Sequence, residues 1–277
     1  MSGDKIPHMQ IRQPATANLM VDSADRTSGT WGNFTIQKKN SILNGFFYRI
    51  GTTEIVLEWN EPNINEVVLG GVNQANVTVT VATVAYTVTI PTGFYTVEEA
   101  FASLVALLTV ANVPGATWTF SKIDGLNTLG AGVDFAVSDT PLARKLDIYQ
   151  PAADGDPARI VTKPDLRPYR YLDFISSQLT YNQKLKDGST ALISNDVLAR
   201  WYFAWDTPPT LDGNGFPILM GYTPFVVRRT FSPPKQIRWE SNMPVGQILF
   251  QVYNPQGNLI NSNDENNFLM TLQVSED

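Results

Sequence analysis

Residues able to do chemistry are few in this chain, and their spacing suits chemistry poorly. The one histidine, His8, stands close to the N-terminus. A histidine base or metal ligand must be held rigidly, and chain ends are where order is least, so His8 reads as incidental. Paired carboxylates come next, because a glycosidase needs only two. Glu54 and Glu58 fall on one face of an expected strand, with Cα atoms roughly 13 Å apart, wide for a catalytic pair. Asp154 and Asp156 lie beside glycine and proline and read as turn residues. Asp212-Gly-Asn-Gly215 and Asn261-Ser-Asn-Asp-Glu-Asn-Asn267 have the composition of calcium loops. Neither has the spacing that ends in a glutamate at position twelve, and turns explain both. No HExxH, GxSxG or Walker-type loop occurs. Gly125-Leu-Asn-Thr-Leu-Gly130-Ala-Gly132 lacks the lysine and helix of a phosphate loop and reads as a hairpin loop. The expectation is a protein that is not an enzyme and holds no metal or cofactor.

Composition points the same way. A net charge of −6 disfavours a phosphate-binding groove, which needs clustered Lys and Arg, so no direct nucleic-acid contact is expected. The absence of cysteine removes disulfides and thiolate metal sites, and it fits synthesis and assembly in a reducing compartment. No apolar run approaches the length of a membrane span, and the first residues lack the basic-then-apolar layout of a secretory signal.

The elements that would position any site are mostly strands. Gln236–Glu240, Val245–Tyr253 and Phe268–Val274 alternate with period two, placing Ile248, Phe250 and Val252, and then Phe268, Met270, Leu272 and Val274, on single faces. Asn254-Pro-Gln-Gly257 joins two of them as a turn. This tail is expected to be the closing edge of a β-sandwich. Near the other end, Leu19–Val21, Phe34–Gln37, Gly45–Ile50 and Glu54–Trp59 read as strands. Tyr171–Ile175, Ala199–Ala204 and Pro224–Phe231 do so later.

Between these stretches the pattern changes. Val77–Val81 and Tyr86–Ile90 read as strands, after which Thr96-Val-Glu-Glu99 fits a capping box. Phe101, Leu104, Val105 and Leu108 then form one helical stripe. Thr117–Ser121, Val133–Val137 and Lys145–Tyr149 return to strand, and Pro151 to Pro168 reads as an exit linker. The reading is therefore mainly β, with a flexible arm at 1–17, a β-sandwich built from 18–62 and 166–277, and an α+β domain at 63–165 inserted in one of its loops.

Aromatic crowding is the remaining signal. Trp201, Tyr202, Phe203 and Trp205 fall within five residues, more than one sandwich interior absorbs by alternation. Trp201, Tyr202 and Trp205 are candidate subunit-interface anchors, with Arg228 and Arg229 as rim or ion-pairing partners. A lectin-like sandwich using Trp205 or Tyr222 as a stacking platform is the alternative. A hydrolase using Glu54 or Glu58 is a third.

Four segments together resemble the minor capsid (penton) proteins of virophages and polinton-like viruses: Asn18-Leu-Met-Val-Asp-Ser23-Ala-Asp-Arg26, Ile90-Pro-Thr-Gly-Phe-Tyr95, Leu179-Thr-Tyr-Asn-Gln183 and Leu269-Met-Thr-Leu-Gln-Val-Ser-Glu276. The resemblance implies a single jelly-roll β-sandwich carrying the α+β domain. It also implies a structural protein made inside the host cell and placed in the virion, as homopentamers at icosahedral vertices. Its implied partners are further copies of itself and a double jelly-roll major capsid protein. A host receptor or glycan would be met through the inserted domain. The family offers no catalytic residues to carry over.

Overall fold

A computed structural model describes residues 16–38, 42, 49–121, 123–151, 159–180, 197–204, 211, 219–234, 236–238, 245–260 and 266–275. In chain order the strands begin with β1 (Thr16–Asp22), β2 (Ser28–Thr30), β3 (Asn33–Gln37) and β4 (Arg49–Trp59). A middle stretch follows: α1 (Glu66–Leu69), β5 (Asn76–Val81), β6 (Val84–Thr89), α2 (Val97–Val110), β7 (Thr117–Phe120), β8 (Asn127–Gly130), β9 (Phe135–Val137), α3 (Pro141–Lys145) and β10 (Arg159–Thr162). The last part holds β11 (Tyr171–Ile175), α4 (Ser177–Thr180), β12 (Val197–Tyr202), β13 (Phe225–Thr230), β14 (Gln236–Arg238), β15 (Gln247–Tyr253) and β16 (Asn267–Ser275).

Two five-stranded antiparallel sheets face each other. One runs β1-β16-β4-β13, with β14 also on β4, and the other runs β12-β11-β15-β3-β2. Leave aside short β2 and β14, and number the eight long strands outside the middle stretch in chain order. The first sheet then reads first, eighth, third, sixth, and the second reads fifth, fourth, seventh, second. One apolar core lies between them, supplied by both early and late residues. Phe268 of β16 meets Phe34 of β3 at 5.6 Å and Phe174 of β11 at 4.8 Å between ring centroids. At one end Trp59 packs edge-on against Trp31, Tyr169 and Phe203.

The alternation expected of the tail is present: Ile248, Phe250 and Val252, and Phe268, Met270, Leu272 and Val274, are all buried. Its three strands do not lie side by side, however. β15 belongs to the second sheet, and β16 sits inside the first, paired with β1 and β4, so the last strand is an inner strand rather than a closing edge. Only inner positions satisfy both backbone edges of a strand. The expected arm also gives up its last residues to β1, where Thr16 and Ala17 pair with Ser275 and Val274. Its earlier part lies outside the described residues.

The region expected as two strands, 45–50 and 54–59, is one strand over its described part. In β4, setting aside buried Gly51, which has no side chain, the buried positions run Ile50, Thr52, then Ile55, Leu57 and Trp59. The phase slips because Thr53 is an extra residue: Thr271 opposes Glu54 and Leu272 opposes Thr52. A bulge of this kind breaks a strict two-residue period without ending the strand. The Thr53 carbonyl is not wasted, since it accepts from the Phe231 amide at 2.9 Å.

The middle stretch has its own core and two three-stranded sheets, β6-β5-β9 and β10-β8-β7. The capping box is formed: the Glu99 amide donates to Thr96 Oγ1 at 3.2 Å and the Thr96 amide donates to the Glu99 carboxylate at 2.8 Å. Phe101, Leu104 and Leu108 are buried along the predicted stripe, and Phe101 stacks on Trp118. Three expectations are corrected here. Lys145 ends a helix, not a strand: Thr140 caps α3 through the Ala143 amide and Pro141 occupies its first turn, a start signal that prevails over the apolar alternation after it. The glycine-rich 125–132 segment contains β8, with Gly125 taking positive φ at the turn before it. The expected linker contributes β10, which pairs with β8.

Phe268 bridges both sheets, so Phe268→Ala is expected to cost about 3–5 kcal/mol in urea denaturation. Met20→Ser on the exposed face of β1 should stay within about 0.5 kcal/mol.

Candidate functional site

Alternation along β12 sends neighbouring aromatics to opposite faces. Trp201 is 0% exposed. It stacks on Phe225 at 6.0 Å and meets Phe203 edge-on at 5.1 Å. The interface role expected of Trp201 therefore gives way to a core role, because its ring is already enclosed within one chain. Tyr202, by contrast, is 50% exposed. Trp205 lies outside the described residues, as do His8, Asp154, Asp156 and the segment from Asp212 to Gly215.

Tyr202 is not alone on its face. It meets Tyr171 across the β11–β12 pair at 5.9 Å, and the Arg200 guanidinium lies 4.0 Å over the Tyr171 ring. Arg200 holds Asp173 through two bonds of 2.7 and 2.9 Å, which keep the guanidinium firmly protonated. Asp173 faces Tyr253 in the next strand. The result is a rigid patch of tyrosine and arginine, the side chains favoured at protein contacts. Tyr171, Asp173 and Arg200 were not singled out from sequence. Period two counted back from Tyr202 would have found Arg200, whereas Tyr171 and Asp173 needed the strand register.

On the outer face of the first sheet, Arg228 reaches Glu54 across the β4–β13 pair at 2.6 Å. Arg228 remains 67% exposed, and Val226 beside it is 65% exposed. Arg229 turns the other way, lying over the Trp201 ring and donating to the Ala204 carbonyl. Tyr202 and Arg228 are thus the candidates with free surface, on strands at the same side of the sandwich, and Arg229 is mainly a cover for Trp201.

Of the residues named for the alternatives, Tyr222, Glu54 and Glu58 are described. Tyr222 is 4% exposed and belongs to the core of the middle stretch, where burial raises its phenol pKa, so it offers no open stacking face. Glu54 is engaged by Arg228, and Glu58 accepts from Asn60 at 3.4 Å. Neither carboxylate lines the cavity between α1 and α3. Asn266, from the second calcium-like segment, is buried and accepts from the Asn60 amide at 2.7 Å, a structural clasp. Among the described residues no group of three or more His, Asp or Glu is placed to hold a metal ion, and no helix is long and apolar enough to cross a membrane.

A cavity of about 660 Å³ opens where α1, α3, the return segment 165–170 and the Asn254–Asn258 turn meet. The Lys145 ammonium enters its wall and donates to the Arg167 and Pro168 carbonyls at 2.6 and 2.9 Å. Desolvation of that end of the side chain, only partly offset by Asp165, lowers its pKa to about 8. Asp165 is paired with Arg167 at 2.6 Å, and Asp139 with Arg144 at 2.5 Å.

Two outcomes are expected. An unfolded Lys145 titrates near 10.5 and a folded one near 8, so between these values the unfolded state binds more protons and stability rises with pH. Urea denaturation from pH 8 to 9.5, below the range where buried Tyr169 and Tyr222 matter, should show that rise. The rise should vanish in Lys145→Met. At the outer patch, Arg200→Met should cost about 1–2 kcal/mol, discounted because Arg200 is partly exposed. Adding Asp173→Asn should recover part of the loss in a double-mutant cycle.

No protein-family model matches the chain, and no curated protein sequence matches it. A solved structure does: the crystal structure of the selenomethionine-labelled mavirus penton protein. It superposes with a TM-score of 0.52 at 9% identity, covering 95% of this chain and 99% of that one. Such coverage takes in both five-stranded sheets and the middle stretch together. In fold, the chain is similar to that penton protein over nearly its whole length, in line with the resemblance read from its sequence.

Proposed function

We propose that this protein is a structural minor capsid protein, the penton, forming homopentamers at the five-fold vertices of an icosahedral virion. The observation that carries the reading is the end-to-end likeness to the mavirus penton protein, which extends over the middle stretch as well as the facing sheets. A shared sandwich alone would say little, since sandwiches serve many functions.

The strand order supports a specific form of the fold. First, eighth, third, sixth against fifth, fourth, seventh, second is the order of a single jelly roll, in which two Greek keys wrap two sheets round one core. In this reading 18–62 and 166–277 are the jelly roll, and 63–165 is an α+β domain inserted between its third and fourth strands. A ring needs one heterologous interface, with unlike patches on opposite flanks. Tyr202, Arg200, Val226 and Arg228 lie on the β12/β13 flank, and Met20, 66% exposed, lies on the β1 flank. Contact between these flanks, on the order of 1,600 Å² or more, would close the ring. The remaining surface would meet a double jelly-roll major capsid protein, and the inserted domain would face outward towards a host receptor or glycan. The role is assembly, without catalysis or direct nucleic-acid binding.

Negative-stain microscopy of the purified protein at high concentration should show five-membered rings, and capsid shells should retain it. Tyr202→Ala with Arg228→Gln should shift the rings to monomers that keep the parent's circular dichroism spectrum. Monomers alone, together with no retention on shells, would remove the proposal.

A further inference from the structure

The 660 Å³ cavity is in the size range of small-ligand sites, and its charge is opposite to that of the chain. Four cationic side chains, Arg144, Lys145, Arg167 and Arg170, line it with two carboxylates, Asp139 and Asp165, in a protein of net charge −6. Both carboxylates are already neutralised by arginines. Two positive groups are therefore left over. The Arg170 side chain is exposed and makes no hydrogen bond or ion pair among the described residues. Lys145 has three donors, and two are spent on the Arg167 and Pro168 carbonyls. The third is uncommitted, at the cavity wall. The Lys145 side chain is half-buried at that wall, so an oxyanion entering the cavity would receive a charge-assisted bond from it.

We infer that this cavity is a binding site for an acidic saccharide, whose carboxylate or sulfate group sits between Lys145 Nζ and the Arg170 and Arg144 guanidiniums. Exposed Gln256 and Asn258, also in the lining, offer amide donors and acceptors suited to sugar hydroxyls. The wall is built from α1, α3, the 165–170 segment and a turn, and none of its residues belongs to a strand. An extended peptide would find no sheet edge to lengthen, and the charged lining is unlike the apolar groove that takes an amphipathic helix. A neutral sugar would lack an open aromatic platform, because Tyr169, the aromatic residue of the lining, is buried. The site is independent of the assembly proposed above, since all its residues come from one chain.

The test is titration calorimetry on the full chain with four probes: a heparin-derived hexasaccharide, sialyllactose, lactose and a hexaglutamate peptide. Saturable binding of the sulfated or the sialylated probe is expected, with the stronger of the two naming the acid group, and no binding of lactose. Arg144→Gln with Arg170→Gln should weaken that binding about tenfold or more at an unchanged melting temperature. Lys145→Gln tests the buried donor, and the surface pair remains decisive if that variant misfolds. Arg49→Gln, which is exposed and does not line the cavity, should leave binding unaltered. The inference is overturned if neither acidic saccharide binds, if hexaglutamate binds as tightly, or if the Arg144/Arg170 variant binds like the parent.

Discussion

The fold depends on β16 being held on both edges. Its residues pair with β1 along one side and with β4 along the other, so the first and last described strands are neighbours, with Thr16 opposite Ser275. On its inner face Phe268, Met270 and Leu272 fill the space between the sheets, and Phe268 alone touches aromatic rings of β3 and β11. Without β16, β1 would have no partner and β4 would be an open edge. Pairings of such long sequence separation require a large loop-closure entropy to be overcome before they form.

That closure sets where the middle stretch can hang. It leaves the first sheet at the end of β4 and re-enters the second at β11, so its two ends lie at one end of the sandwich. Each end is fastened. Asn266 receives the Asn60 amide, and Trp59 Nε1 donates to the Glu61 carbonyl at 2.8 Å. Asn63 acts as a piece of backbone towards Tyr95, donating to its carbonyl and accepting from its amide at 2.8 and 2.9 Å. On the return side Lys145 ties α3 to residues 167 and 168. These polar clasps, with Tyr222 reaching into the second core, make the junction a defined surface with its own cavity instead of a loose hinge.

The two cores also decide what the surface presents. Alternation turns Trp201 inward and Tyr202 outward, and Arg200 is braced on Asp173 and Tyr171. Bracing of this kind lowers the entropy that a contact must later remove.

Much of this was determined by the sequence alone. Period-two runs at Val245–Tyr253 and Phe268–Val274, the capping box at Thr96 with its stripe of Phe101, Leu104 and Leu108, and the change of pattern between the two β-rich stretches are local signals, and local backbone preferences carry them. Tertiary structure decided the rest. The slip at Thr53 is visible only once β16 is laid beside β4, because a bulge is a property of a pair of strands. The inner place of β16, the separate sheets of β14 and β15, and the use of 127–130 and 159–162 as mutual partners are choices among pairings that short segments cannot express. The same holds for the surface: the types of Arg200, Asp173 and Tyr171 are in the sequence, but their meeting on one face is set by register. Register follows from burying both sheets' apolar faces at once, a condition that no single stretch of chain contains.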